Sequence, residues 1–143
     1  MVEIEINYQA GKIVKKKFLE DLANSTFKLL KIKGKQKISL GLVTNAEIKK
    51  NNRIYRKKNK VTDVLSFSEK DQKFCFPTEK NYLGEILICY SQAVLQAKKY
   101  NKTVKEELSL LFVHGLLHLL GYDHQKQKDH AKMKKLEQDI LSK

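Results

Sequence analysis

His114-Gly115-Leu116-Leu117-His118-Leu119-Leu120-Gly121-Tyr122-Asp123-His124 is the stretch on which the reading of this chain turns. Leucines fill half of the positions between its histidines, and the segment closes an apolar run that reads as a helix buried in protein. Two histidines four apart on a helix project from the same face, one turn above the other. Their imidazoles can therefore meet one ion. Gly121 falls where a helix C-terminus needs a residue at positive φ, and a turn there brings His124 back toward the other two. Three neutral imidazoles plus a water make the open, four-coordinate arrangement of a catalytic zinc site, whereas a Cys₄ or Cys₂His₂ structural site is closed. Three of the chain's four histidines lie in this stretch. The expectation is one zinc ion per chain on His114, His118 and His124, against the plain alternative of incidental core or surface histidines.

Thr103 and Glu106 form a capping-box pair that opens the helix carrying the motif. Residues 103–120 are apolar nearly all round, which makes this helix central, with sheet and helices on its flanks. The apolar run Leu108 to Leu120 is too short to span a bilayer. Val2, Ile4, Ile6 and Tyr8 alternate with polar residues at the period of a half-buried strand. Val14, Phe18, Leu22, Leu29 and Leu30 predict a helix ending before Gly34. Ile38, Leu40 and Leu42 predict a second strand. Thr44 and Glu47 open a helix to about Tyr55, and Arg56 to Lys60 is a basic loop. Thr62 to Phe67 and Leu83 to Cys89 read as two more strands, separated by a polar excursion that holds Pro77. Ser91 is placed to cap a helix through Ala93, Val94 and Ala97. Met133, Leu136 and Ile140 mark a last helix from about Lys126 to Leu141. The fold class expected is α/β (α+β): a single domain over residues 1–143, with a mixed four-stranded sheet packed with helices and the zinc site on the central helix.

The 143 residues suffice for one domain with its own core. The formal charge of +13 favours a polyanionic partner such as nucleic acid or an anionic surface. Its bland alternative is a lysine-rich composition with no such partner. Only Cys75 and Cys89 are present, without a CxxC pair, and the N-terminal residues lack the apolar core of a targeting segment. Reduced thiols, a cytoplasmic location and no membrane partner are expected. No sequence feature fixes an oligomeric state.

The motif has the ligand and glycine spacing of metzincin metalloproteases, HExxHxxGxxH, with Gly115 in place of the general-base glutamate. Peptide hydrolysis needs proton delivery to a poor leaving amine, so that loss counts against a protease. It counts less against phosphodiester cleavage, where a metal also polarises a phosphoryl oxygen. Two reasons can stand behind the glycine: a carboxylate there repels an incoming phosphodiester, or the backbone packs closely on a neighbour.

Several further stretches resemble the YbeY family of bacterial rRNA-maturation endoribonucleases. They are Asn52, Tyr55 and Arg56 leading into Thr62-Asp63-Val64-Leu65-Ser66-Phe67, then Leu83-Gly84-Glu85-Ile86, Ser91 and Glu107-Leu108 before the histidine motif, and Met133 and Glu137 after it. The likeness runs from about Ile38 to the end. It departs from the family pattern at Asn51, Asn59, Val61 and Glu85. The resemblance implies a zinc-dependent, single-strand-specific endoribonuclease in rRNA maturation and ribosome quality control, with RNA and ribosomal components as partners. It implies zinc on His114, His118 and His124, and Arg56 as the positive partner of the scissile phosphate. A guanidinium suits that task through two parallel hydrogen bonds, although by itself Arg56 reads as one of a solvated basic run. Arg53, Lys57 and Lys58 are weaker candidates for holding the RNA backbone. Asp63 either orients a ligand histidine or fixes its loop, and Asp123 is either a partner of the metal site or a turn residue. His130 is expected on the exposed face of the last helix. Tyr122 either stacks on a base or packs. The rivals are a metzincin-like metallopeptidase and a non-catalytic zinc-containing module that binds RNA or the ribosome.

Overall fold

The computed structural model describes residues 1–11, 15–69, 81–122 and 127–142, with the backbone alone at 127–129. Its elements, in chain order, are β1 (Val2–Tyr8), α1 (Lys16–Leu29), β2 (Gln36–Val43), α2 (Asn45–Arg56), β3 (Val64–Ser68), β4 (Tyr82–Cys89), α3 (Tyr90–Lys99), α4 (Val104–Leu119) and α5 (Gln127–Leu141). The four strands form one mixed sheet in the order β1-β2-β4-β3. β1 and β4 run parallel to β2, while β3 pairs antiparallel with β4 and forms an edge. The fold is α+β, as the spacing of apolar residues predicts.

Both faces of the sheet are covered, unequally. Ile86 and Ile88 of β4 face the larger core, which joins the sheet to α1, α4 and α5. Leu87 and Cys89, their neighbours in sequence, face the smaller core with Ile48 of α2 and with Leu65 and Phe67 of β3. Burial on both faces is why β4 reads as a continuous apolar run and not as an alternation.

α4 runs through the larger core and buries residues on every side, Leu108, Phe112, Val113, Leu116 and Leu117 among them. Thr103 and Glu106 form the reciprocal capping box expected of them, each side chain bonding the other's backbone N–H. At the other end Gly121 has a φ of +105°, a conformation that lets the chain turn without a Cβ clash. Gly115 sits where α4 crosses β4, and a Cβ there would stand 2.9 Å from Ile86 Cγ2. The close-packing explanation for this glycine therefore has a concrete neighbour.

Smaller differences have local causes. Ser91 does not cap α3: the helix begins at Tyr90, and the Ser91 hydroxyl donates to Asn45 Oδ1 at 2.7 Å, tying α3 to the start of α2. β3 begins at Val64, because Asp63 lies in a bend. Cys75, Pro77, Asp123, His124 and the expected start at Lys126 lie outside the described residues. Among the described residues no helix is long and apolar enough to cross a membrane.

Candidate functional site

His114 and His118 leave α4 one turn apart on one face, and their Nε2 atoms stand 3.1 Å from each other. The rings meet edge to face at 78°, with centroids 4.7 Å apart. On its other side His114 Nδ1 lies 2.6 Å from Glu137 Oε1 of α5. A carboxylate can only accept, so this contact puts a proton on Nδ1 and turns the Nε2 lone pair of the neutral ring toward His118. Metal-bound histidines are oriented by a partner of this kind. Two nitrogens on one tetrahedral zinc, each about 2.0–2.1 Å from it, stand about 3.3 Å apart. The pair matches that spacing, so the donor set fits zinc as far as it is described. Among the described residues no group of three or more His, Cys, Asp and Glu gathers around one point. His124 and Asp123 lie outside those residues.

Glu137 had no role in the sequence reading. Its signal was its position: Met133, Glu137 and Ile140 share one helical stripe, and Met133 and Ile140 are buried. An acid on the buried stripe of a helix needs a partner, and His114 is that partner.

Opposite the histidines the cleft is walled by the end of α2, the loop after it and the edge strand. Arg56, Lys58, Lys60, Asp63, Ser66, His114, Gly115 and His118 are among the residues that line its volume of about 570 Å³. Arg56 is held from two directions. Its Nη2 donates to the Ser66 carbonyl at 2.7 Å, and its guanidinium carbon lies 5.2 Å from the centre of the Phe67 ring. Both partners sit on β3, so the strand fixes an otherwise mobile side chain at the rim. The lysine loop is fixed by Asn52, which is 3 % exposed. Its carbonyl accepts from Lys58 N, and its amide donates to the Lys60 carbonyl at 3.0 Å. Lys57 takes the left-handed conformation that ends α2. Arg53 and Lys57 are exposed and lie outside the residues that line the cleft. Lys60, which the sequence reading passed over, lines it.

The hydrogen bonds of Asp63 fix its loop. Its carboxylate accepts from Gln96 Nε2 and Thr62 Oγ1, and its carbonyl accepts from Cys89 N. His130 is exposed, and Tyr122 packs against the larger core. Glu107 is an acid that sequence reading left without a role. It is 3 % exposed, and burial holds its carboxyl above the ordinary range, with the Lys102 ammonium opposing and Asp63 adding to the shift.

Paired imidazoles facing an anchored guanidinium across a cationic cleft suit the cleavage of an anionic backbone. A sequence profile described as Endoribonuclease YbeY matches residues 3–143. The chain belongs to the YbeY family. A relative from Syntrophomonas wolfei named Endoribonuclease YbeY is 39 % identical over 128 residues, 86 % of this chain and 82 % of that one. Another of that name, from Roseiflexus sp., is 34 % identical over 98 % of this chain and 90 % of its own length. A solution structure of a Thermotoga maritima protein superposes with a TM-score of 0.59 at 29 % identity, covering 99 % of this chain and 90 % of that one. The YbeY match takes in the α2–β3 wall and the histidine helix alike.

Proposed function

We propose that this chain is a zinc-dependent endoribonuclease that cuts single-stranded RNA in rRNA maturation and ribosome quality control. The coarser part, a nuclease and so a hydrolase, follows from membership of the YbeY family. The observation that supports the finer part is the pair of Nε2 atoms facing Arg56, Lys58 and Lys60 across one cleft.

In this reading His114, His118 and His124 hold the ion. Bound there, zinc supplies Lewis-acid polarisation of a phosphoryl oxygen and a water whose pKa is lowered to about 7. Glu137 keeps His114 in the tautomer that leaves Nε2 ready to ligate. Arg56, anchored on Ser66 and Phe67, approaches the cleft with little conformational freedom left to lose. Its planar fork offers paired, charge-assisted bonds to a phosphate and stabilises charge that grows on the oxygens. Lys58 and Lys60 neutralise flanking phosphates. Ribosomal partners and a cytoplasmic setting belong to the same proposal and rest on the family resemblance. A peptidase reading is disfavoured by the missing carboxylate at position 115 and by cationic walls suited to a polyanion.

Metal-defined protein incubated with a single-stranded RNA, the same RNA as a duplex, and an unstructured peptide tests this reading. Internal cuts confined to the single strand are expected. Cleavage of the peptide, or RNA binding with no cuts, would overturn it.

A further inference from the structure

β3 borders the cleft with its open edge. Its flanking bonds fix which backbone groups face outward: Cys89 N donates to the Asp63 carbonyl at 2.8 Å, and Glu69 N to the Leu83 carbonyl at 3.2 Å. Positions 63 and 69 therefore turn their backbone groups toward β4, and antiparallel alternation leaves the N–H and C=O of Val64 and Ser66 on the open side. Arg56 reaches the Ser66 carbonyl from that side, at 2.7 Å. Val64 and Ser66 line the cleft together with His114, Gly115 and His118. The Ser66 side chain has an equally definite direction. Ser66 stands opposite Ile86, and directly opposed residues of an antiparallel pair share a face. That face is the one α4 covers, since a Cβ on Gly115 would lie 2.9 Å from Ile86 Cγ2. Leu65 and Phe67 point the other way, into the smaller core. Among the described residues the Ser66 hydroxyl has no hydrogen-bond partner. An open strand edge ordinarily offers acceptors as often as donors, and each bare carbonyl repels a phosphate. Here Arg56 covers the Ser66 carbonyl, so this part of the edge presents an N–H, a hydroxyl and a guanidinium. An extended peptide, the usual partner of an open edge, would lose its bond to that carbonyl.

We infer that Ser66 is a catalytic residue of the RNA cleft, its hydroxyl and N–H bonding a non-bridging oxygen of the phosphate that Arg56 holds. The inference rests on the reading of the cleft as a ribonuclease site, and it adds a pair of neutral donors to the cationic ones. Donors fixed on a strand need no reorganisation as charge grows on the phosphate oxygens. Their contribution therefore falls on turnover more than on affinity.

The test uses the metal-loaded full chain and one short labelled RNA strand in three forms. One is unmodified, and in each of the others sulfur replaces one of the two non-bridging oxygens at the cut. Equilibrium binding by fluorescence anisotropy and cleavage kinetics are read separately. Ser66→Thr keeps the hydroxyl, while Ser66→Val has the same shape without it, and both residues suit an edge strand. Each variant keeps the backbone carbonyl that anchors Arg56. Ser66→Val should lower kcat about 10-fold, the lower end of the range for one hydrogen bond to a charged group, because the N–H remains. KM should change far less, and Ser66→Thr should keep most of the wild-type rate. Sulfur accepts hydrogen bonds poorly, so the gap between the Thr and Val variants should shrink on one sulfur strand and persist on the other. A merely structural defect would slow all three strands alike. Equal rates for the two variants, or a gap of the same size on every strand, would overturn the contact and leave an active nuclease standing. A wild type that binds the strand without cutting it would sink the nuclease reading instead. Weaker binding by Ser66→Val than by Ser66→Thr would then keep the contact, and equal binding would overturn it.

Discussion

Gly115 shows how one residue serves two surfaces. It lines the cleft beside both histidines, and its α-carbon lies against the fully buried Ile86 of β4. Adding a methyl 2.9 Å from a stiff, β-branched side chain forces a shift. Overpacking of this kind costs about 1–3 kcal/mol, while alanine regains roughly 1 kcal/mol of helix propensity over glycine. Gly115→Ala should therefore lower the melting temperature, and a clear rise would show that the glycine is kept for the cleft alone. Arg56→Lys makes the companion prediction for chemistry. It keeps the charge and loses the planar fork, the stacking on Phe67 and the geometry of the Ser66 bond, so RNA affinity should survive better than turnover. Unchanged kcat would return Arg56 to the solvated basic surface. The histidine pair was legible because four-residue spacing on a helix is a geometric statement by itself. The position of Arg56 was not, because it depends on a carbonyl and a ring from another strand.

Among the elements, α4 was the most readable and β3 the least. A capping box, an apolar run and a C-terminal glycine all point to the same helix, and local signals of that kind do not depend on tertiary context. β3 is a five-residue edge strand, and its place beside α4 is set by antiparallel pairing with β4, a non-local contact. Ser91 misled for the same reason: its hydroxyl has a local use as a cap and found a distant one on Asn45. β4 also carries a half-buried acid. Burial holds the Glu85 carboxyl above its ordinary 4.5, so the folded chain binds that proton more tightly than the unfolded chain. The sign follows: the stability linked to this group is fully present below the unfolded value and is lost as pH rises through the folded one. Glu85→Gln cannot titrate. Its stability relative to wild type, read by urea melts, should grow more favourable from pH 4 to pH 7. A flat difference would mean that folding leaves this carboxyl unshifted, and a difference that falls over that range would place the carboxylate in a stabilising interaction; either contradicts the expectation.

At the scale of the whole molecule, a charge of +13 and a two-sided sheet divide the work. The larger core holds α4 rigidly against β4, while the thinner layer with α2 on the other face carries the basic loop to the rim of the same cleft. Class and strand number were legible from apolar periodicity. The order β1-β2-β4-β3 was not, since nothing local in β3 says which strand it will border. The profile match over residues 3–143 and the Thermotoga maritima superposition agree with that architecture. What they leave to experiment is the ion. The most direct measurement is zinc content per chain, read together with cleavage of a single-stranded RNA, for wild type and His118→Ala. The account predicts one zinc per wild-type chain, with most of the metal and the cleavage lost together in a variant that keeps its far-UV dichroism. A His118→Ala protein that holds its full zinc and still cuts RNA would contradict it.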